Sequence, residues 1–305
     1  MTETPIDGLL NINKSTGMTS MAVVRRIKSL TRQGRVGHGG TLDPDASGVL
    51  PIFLGQATRA MEYLVNGTKS YSLVVYLGIT TDTYDSMGNV TDTRDASHIT
   101  LEDVERALDS FKGVINQVPP MYSALKQKGQ RLYDLARSGV EVEREPRKVD
   151  ISEIRLLDWS SPMVSLEVEC GRGAYMRSLA HDLGTTLGCG AHLKSLVRLR
   201  TGPFHIDDAL SLSQAEEAIQ SGVWKELLWP VDTLFLNLRA AILNPRDEAL
   251  IRNGQYLPRG VRIPSSMPYE ECRVYNAQGR FFAIICFDAS KSQWVPKKVF
   301  SPTPA

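Results

Sequence analysis

The chain reads as an α+β protein followed by a small β-rich module. Three observations predict this: segments with apolar residues at alternate positions, helical stripes interleaved among them, and a change beyond Trp229-Pro230 to short strands and turns. With 305 residues, 42% of them hydrophobic, the chain is long enough for one sizeable core plus an appended unit. A boundary is expected near residue 236, separating 1–235 from 236–305.

Taken in order, residues 8–13 form a short expected strand, and after the turn Ser15-Thr16-Gly17 a helix starts near Ser20. Val23, Ile27 and Leu30 lie on one face of it, Arg25, Arg26 and Lys28 on the other. Residues 34–51 are so rich in glycine and proline that an irregular segment is expected there, the first place to look for function. Tyr71, Leu73, Val75 and Leu77 alternate with Ser72, Val74 and Tyr76 as a strand, and a Thr-, Asp- and Gly-rich loop follows over 79–89. Thr100 is the expected N-cap of a helix with Leu101, Val104, Leu108 and Phe111 inward. Over 118–148 the hydrophobic pattern weakens, and Tyr122 and Tyr133 among many Lys and Arg residues predict a protruding basic loop.

Val164, Leu166, Val168 and Cys170 predict a strand that runs through Gly171-Arg172-Gly173 into a helix carrying Met176, Leu179, Leu183 and Leu187. Leu193, Ser195, Val197 and Leu199 alternate with Lys194, Leu196, Arg198 and Arg200, which predicts a strand with one cationic face. In the last module, strands are expected over 272–275 and 280–287 around Asn276-Ala277-Gln278-Gly279.

A formal net charge of +1 gives no argument for a nucleic-acid partner, so distribution matters more than the sum. Acidic residues concentrate in 82–95, 102–109 and 207–217, and basic ones in 25–35, 126–137, 144–148 and 194–200. A neutral protein can thus still present a basic groove. No stretch approaches the ~20 apolar residues that span a bilayer, and residues 1–8 are too polar for a secretory signal, so a cytoplasmic protein is expected. Cys170, Cys189, Cys272 and Cys286 are scattered, without the spacing of a zinc site, and read as reduced buried thiols.

The richest string runs from Gly37 to Pro51: Gly-His-Gly-Gly-Thr-Leu-Asp-Pro-Asp-Ala-Ser-Gly-Val-Leu-Pro. Its glycines allow close approach of a ligand, and Pro44 stiffens the chain just after a carboxylate. A phosphate cradle would need a terminal Lys-Ser or Lys-Thr that is missing here. A metal site built on His38, Asp43 and Asp45 lacks further ligands. A turn capped by Asp43 is the plain structural alternative.

This string resembles the signature of the TruB family of tRNA pseudouridine-55 synthases. The resemblance continues through Leu54-Gly55-Gln56-Ala57-Thr58-Arg59, Lys69-Ser70-Tyr71, Leu77-Gly78-Ile79-Thr80-Thr81-Asp82-Thr83, Pro119-Pro120-Met121-Tyr122-Ser123-Ala124, Cys170-Gly171-Arg172-Gly173-Ala174-Tyr175-Met176-Arg177 and Gly190-Ala191-His192-Leu193, spanning roughly residues 8–232. It implies a pseudouridine synthase fold with a central mixed, largely antiparallel sheet flanked by helices, and a C-terminal RNA-binding module of the PUA type. It also implies that Asp43 attacks or deprotonates the ribose, that Arg177 pairs with it and keeps its pKa low, and that Tyr71 stacks on the target base and handles the C5 proton. Tyr175 and Leu196 match positions lining the same pocket, and His38 matches the histidine that displaces the target nucleotide.

No cofactor and no metal are implied, and the partner is the T-arm of tRNA, met by a monomer. The basic segments at 126–137 and 194–200 are candidate RNA-backbone binders, and Lys297-Lys298 a candidate contact toward the acceptor stem. The chain has Asn13-Lys14-Ser15 where the family has Asp-Lys-Pro; Lys14 is kept as a substrate-RNA-binding residue, while the missing proline loosens the expected turn. Two other readings stay open at this point, a non-catalytic RNA-binding chaperone on the same fold and a metal- or nucleotide-dependent enzyme using the glycine loop.

Overall fold

Local signals set many of the element ends in the computed structural model, which describes residues 5–123, 125–127, 129–138, 140, 142–257 and 267–300. The first strand, β1 (Gly8–Lys14), leads to α1 (Ser20–Thr31), whose N-terminus is capped by the Thr19 side chain accepting from the Ala22 N–H. Then come β2 (Val36–His38), β3 (Ser47–Leu54), α2 (Met61–Val65), β4 (Lys69–Leu77) and the hairpin of β5 (Ile79–Thr81) and β6 (Val90–Thr93). Thr100 and Asp103 form a capping box on α3 (Leu101–Asp109), as expected.

After β7 (Gly113–Gln117), the basic insertion holds a small hairpin, β8 (Lys126–Gln127) and β9 (Gln130–Arg131), and a short helix, α4 (Leu132–Arg137). The long β10 (Arg147–Ser160) and β11 (Met163–Cys170) follow, then α5 (Met176–Thr186), β12 (Ala191–Thr201), β13 (Phe204–His205), β14 (Leu210–Ser211) and α6 (Leu212–Gln220). The last part comprises β15 (Arg239–Ile242), α7 (Pro245–Arg252), β16 (Glu271–Tyr275), β17 (Phe281–Asp288) and β18 (Gln293–Val299).

The large sheet runs β14-β1-β3-β12-β4-β11-β10-β7, with β2 added beside β3 and β13 beside β12. It is mixed and mostly antiparallel, the parallel pairs being β1 with β14 and β3 with β12. One face packs on helices over a core of Leu10, Ile12, Leu50, Ile52, Leu73, Val75, Leu166 and Leu179. The other face, with Leu9, Val49 and Phe53, meets Phe204, Phe235, Ile284 and Phe300, so the four-stranded sheet β15-β16-β17-β18 is joined to the large one through shared apolar packing.

Several expectations are corrected. Residues 34–51 are not all irregular, since β2 and most of β3 lie there. Both faces of β3 are buried, which removes the polar half of the alternation and leaves a run that glycine and proline appeared to interrupt. Strand β10 was not foreseen, because bulges between Ile151 and Glu153 and between Leu156 and Asp158 break its period.

Leu101 faces outward at the first turn of α3, while Val104 and Leu108 turn inward. The insertion buries Met121 and Leu132. The side chains of Lys126, Lys128, Arg131 and Arg137 lie outside the described residues. The cationic face of β12 dissolves as well. Bulges at Leu193/Ser195 and Arg198/Arg200 change the register, Arg198 is buried, and Arg200 pairs with Glu169 at 2.5 Å.

Lys297 pairs with Glu271, and Lys298 with Glu62 and the Arg59 carbonyl. Cys170, Cys189 and Cys272 are buried free thiols, but Cys286 is half-buried. Among the described residues no helix is long and apolar enough to cross a membrane.

Candidate active site

Asp43 sits in the turn between β2 and β3, and three separate elements pin that turn. The Ser20 hydroxyl donates to the Leu42 carbonyl at 3.0 Å and accepts from the Leu42 N–H at 2.8 Å. The Ala46 N–H donates to the Asp43 carbonyl at 3.2 Å, closing the turn itself. From β12, Arg198 donates to the Gly40 carbonyl at 3.0 Å and the Val49 carbonyl at 2.7 Å. Gly48 is held in the left-handed region at φ 103°, and a Cβ there would lie 2.2 Å from the Arg198 carbonyl oxygen, so the chain needs a glycine where β3 meets β12.

Lys14 is fully buried, and its ammonium donates to the carbonyls of Ser15 at 2.9 Å, Met18 at 2.8 Å and Pro44 at 3.1 Å. It braces the residue next to Asp43 and has no face left for RNA, which corrects its assignment as an RNA contact. The Gly17 N–H donates to the same Pro44 carbonyl at 2.9 Å, so the turn is held without the family's proline. Burial brings the Lys14 pKa down to about 8, against the raising pull of Asp45 and Asp43.

Arg177, in the first turn of α5, gathers the site. Its Nε lies 3.0 Å from Asp43 Oδ2, its Nη2 donates to the Tyr122 carbonyl at 2.8 Å, and its Nη1 lies 3.5 Å from Asp85 Oδ2. Nη1 also donates to the Thr83 carbonyl at 3.4 Å. One guanidinium thus ties together the glycine turn, the loop after β5 and the start of the insertion. The Arg177 side chain is 7% exposed and that of Asp43 43%, so the ion pair is anchored from below and open to a ligand from above.

The expectation that Arg177 keeps the Asp43 pKa low is overturned. Burial is the largest influence and raises it from 3.8, Asp85 and Asp45 push the same way, and Arg177 and Lys14 pull back without prevailing.

Tyr71, on β4, is buried, and its phenol is raised chiefly by burial while Arg198 pulls it down. Burial also raises the Tyr175 phenol, and the Asp43 charge adds a small push in the same direction on both tyrosines. Tyr175 precedes α5 and is clamped by Gln117, which accepts from its N–H at 2.7 Å and donates to its carbonyl at 3.1 Å. Leu196 is half-buried on β12, opposite Leu73 and two residues before Arg198. His38 ends β2, and burial followed by the nearby Arg198 charge lowers its pKa; its Nδ1 is buried without a hydrogen-bond partner. Among the described residues no three His, Cys, Asp or Glu side chains cluster as metal ligands would.

Two family models cover most of the chain: the N-terminal domain of TruB family pseudouridylate synthase matches residues 28–176, and the tRNA pseudouridylate synthase B C-terminal domain matches 177–250. A tRNA pseudouridine synthase B of Dehalococcoides mccartyi is 46% identical over 98% of each chain. The chain belongs to the TruB family of pseudouridylate synthases. Relatives of the same name from Clostridium kluyveri (41% identical, 92% of this chain and 95% of the relative) and Thiobacillus denitrificans (38%, 98% of each) extend the similarity across distant bacteria. A solved structure titled as an H/ACA RNP bound to a substrate RNA containing 2'-deoxyuridine shares the fold at a TM-score of 0.73, with 22% identity over 97% of this chain and 86% of that one.

Within this TruB-family site, reasoning from sequence missed Asp85, Ser20 and Arg198. The motif quoted through Thr83 stops two residues short of Asp85, whose second oxygen is held by the Thr83 hydroxyl at 2.6 Å. In the sequence Ser20 reads as a helix start, and Arg198 as one member of the cationic face of a strand.

Proposed function

We propose that this pseudouridylate synthase isomerises the T-loop uridine of tRNA, U55, to pseudouridine, as the names of its relatives suggest for the substrate class. The observation that carries the reading is the Asp43–Arg177 pair at 3.0 Å on the glycine turn, its guanidinium buried and its carboxylate partly exposed. Asp43, once ionised, is the group that attacks C1′ or removes a ribose proton, and either route breaks the bond from C1′ to N1. The freed uracil turns and C1′ bonds to C5 as the Asp43–C1′ bond breaks, or as the ribose proton returns from Asp43; the C5 proton then leaves as N1 gains one. No electrons enter or leave, so the reaction is balanced without an oxidant or reductant.

A stacked base hides these atoms, so the nucleotide must leave its stack at a cost of a few kcal/mol, offset by contacts in the pocket. Tyr71 supports the extruded base, Tyr175 and Leu196 wall it, and His38, whose pKa burial lowers, helps displace the nucleotide from its stack. A base seated there covers the exposed half of Asp43 and strengthens each electrostatic contact. The C-terminal sheet, proposed as a PUA-like unit starting near residue 236, extends the RNA-binding surface.

Release of tritium from tRNA carrying [5-³H]uridine tests the reading, with the product position mapped by chemical modification and sequencing. Stoichiometric release at U55 in excess chelator and without nucleotide is expected. Binding of tRNA with no release would favour the non-catalytic chaperone.

A further inference from the structure

The proposed chemistry leaves Arg198 without a task. Its residue is 1% exposed, among the most deeply buried of the large side chains. Burying a guanidinium is costly unless its donors are used. Nε and Nη2 are satisfied by the Val49 and Gly40 carbonyls, as described. Nη1 remains, and it passes 3.5 Å from the point where a side chain on Gly40 would begin, at the edge of the catalytic turn.

The register of β12 against β4 sets Arg198 directly opposite Tyr71. Residues opposed in this way leave the same face of the sheet with Cβ atoms about 4.5–5.5 Å apart, so the two buried side chains lie side by side. A guanidinium carries five N–H donors and no acceptor, whereas a phenol can both accept and donate. Contact between them has one polarity: the phenol oxygen accepts.

We infer that Arg198 is a positioning residue for Tyr71, occupying the phenol oxygen as a donor so that the phenolic hydrogen points into the pocket toward a carbonyl of the uracil. The inference rests on the reading of Tyr71 as the residue that meets the base. Across the bulge that follows, Arg200 stands opposite Ser70 and its side chain pairs with Glu169, which leaves Arg198 as the arginine beside Tyr71. The direction of the influence on the phenol agrees, Arg198 pulling its pKa down against burial.

The test places 3,5-difluorotyrosine at position 71 of the full chain and follows its ionisation by ¹⁹F NMR, in the parent, Arg198→Met and Arg198→Lys proteins. Removal of the guanidinium is expected to raise the midpoint by about one unit or more, a tenfold change in the ionisation constant. An unchanged midpoint in folded Arg198→Met overturns the proposal. Should that variant fail to fold, Arg198→Lys carries the same comparison, since an ammonium cannot reproduce the fork, and a midpoint equal to the parent's overturns it equally.

Turnover supplies a second readout. The loss caused by Arg198→Lys is expected to shrink several-fold in a Tyr71→Phe background, and full additivity would sink the inference. The titration uses free enzyme without RNA, so it is independent of the isomerase reading. A shifted midpoint with no pseudouridine formed would defeat that reading alone, and normal turnover with no shift would defeat the role of Arg198 alone.

Discussion

At the scale of single residues, the proposed chemistry rests on a carboxylate whose surroundings work against its charge. The role proposed for Asp43 needs it ionised, and burial raises its pKa above the 3.8 of a free side chain. Activity therefore falls as pH drops through this raised value, sooner than a free carboxylate would require. The acid limit of kcat/KM against pH is expected above 3.8 and is expected to move higher still in Arg177→Met, which loses the larger of the two influences holding it down. A limit that stays put in that variant would dissociate Arg177 from the ionisation of Asp43. Asp43→Asn keeps the shape and removes the charge, so turnover is expected to vanish while tRNA affinity, read by filter binding, stays within several-fold. Wild-type-like rates in that protein would refute the assignment.

Among the elements, the turn between β2 and β3 is determined by what it touches. Gly48→Ala would drive a Cβ into the backbone of β12 and force a positive φ on alanine, so a loss above about 2 kcal/mol is expected in urea denaturation. Stability unchanged within error would show that β3 and β12 can separate there freely. By contrast, α3 carries its own start signal. Thr100→Ala removes half of the capping box and is expected to cost about 1 kcal/mol without altering turnover.

Across the whole molecule, the C-terminal sheet is less separable than a boundary near residue 236 implies. Phe235 packs edge-on with Tyr63 at 4.8 Å, and Phe281 and Phe300 pack around it at 5.7 and 6.3 Å. Lys298 adds a link to Glu62 on α2. Phe300→Ala is expected to lower stability by about 3 kcal/mol, read as a fall in the denaturation midpoint with unchanged slope. Deleting residues 236–305 strips cover from Phe235, so weaker tRNA binding should come with a lower Tm; binding and Tm both unchanged would argue against a joint role for the sheet.

The sequence by itself determined the capped helices α1 and α3 and the alternating strand β4, because these signals are local, and its resemblance to a family motif singled out the candidate carboxylate. Thr100, the alternation from Tyr71 to Leu77 and the string from Gly37 to Pro51 need no distant partner to be read. Tertiary structure alone decided that β3 is a strand, that Lys14 is a buried brace, that Asp85 joins Arg177 and that Arg198 faces Tyr71. Each of these depends on segments tens to more than a hundred residues apart meeting in space, and on burial that reverses the usual fate of a charged side chain. A lysine or arginine looks like surface until the fold supplies carbonyls for its donors, and here the turns beside the sheet supply most of them.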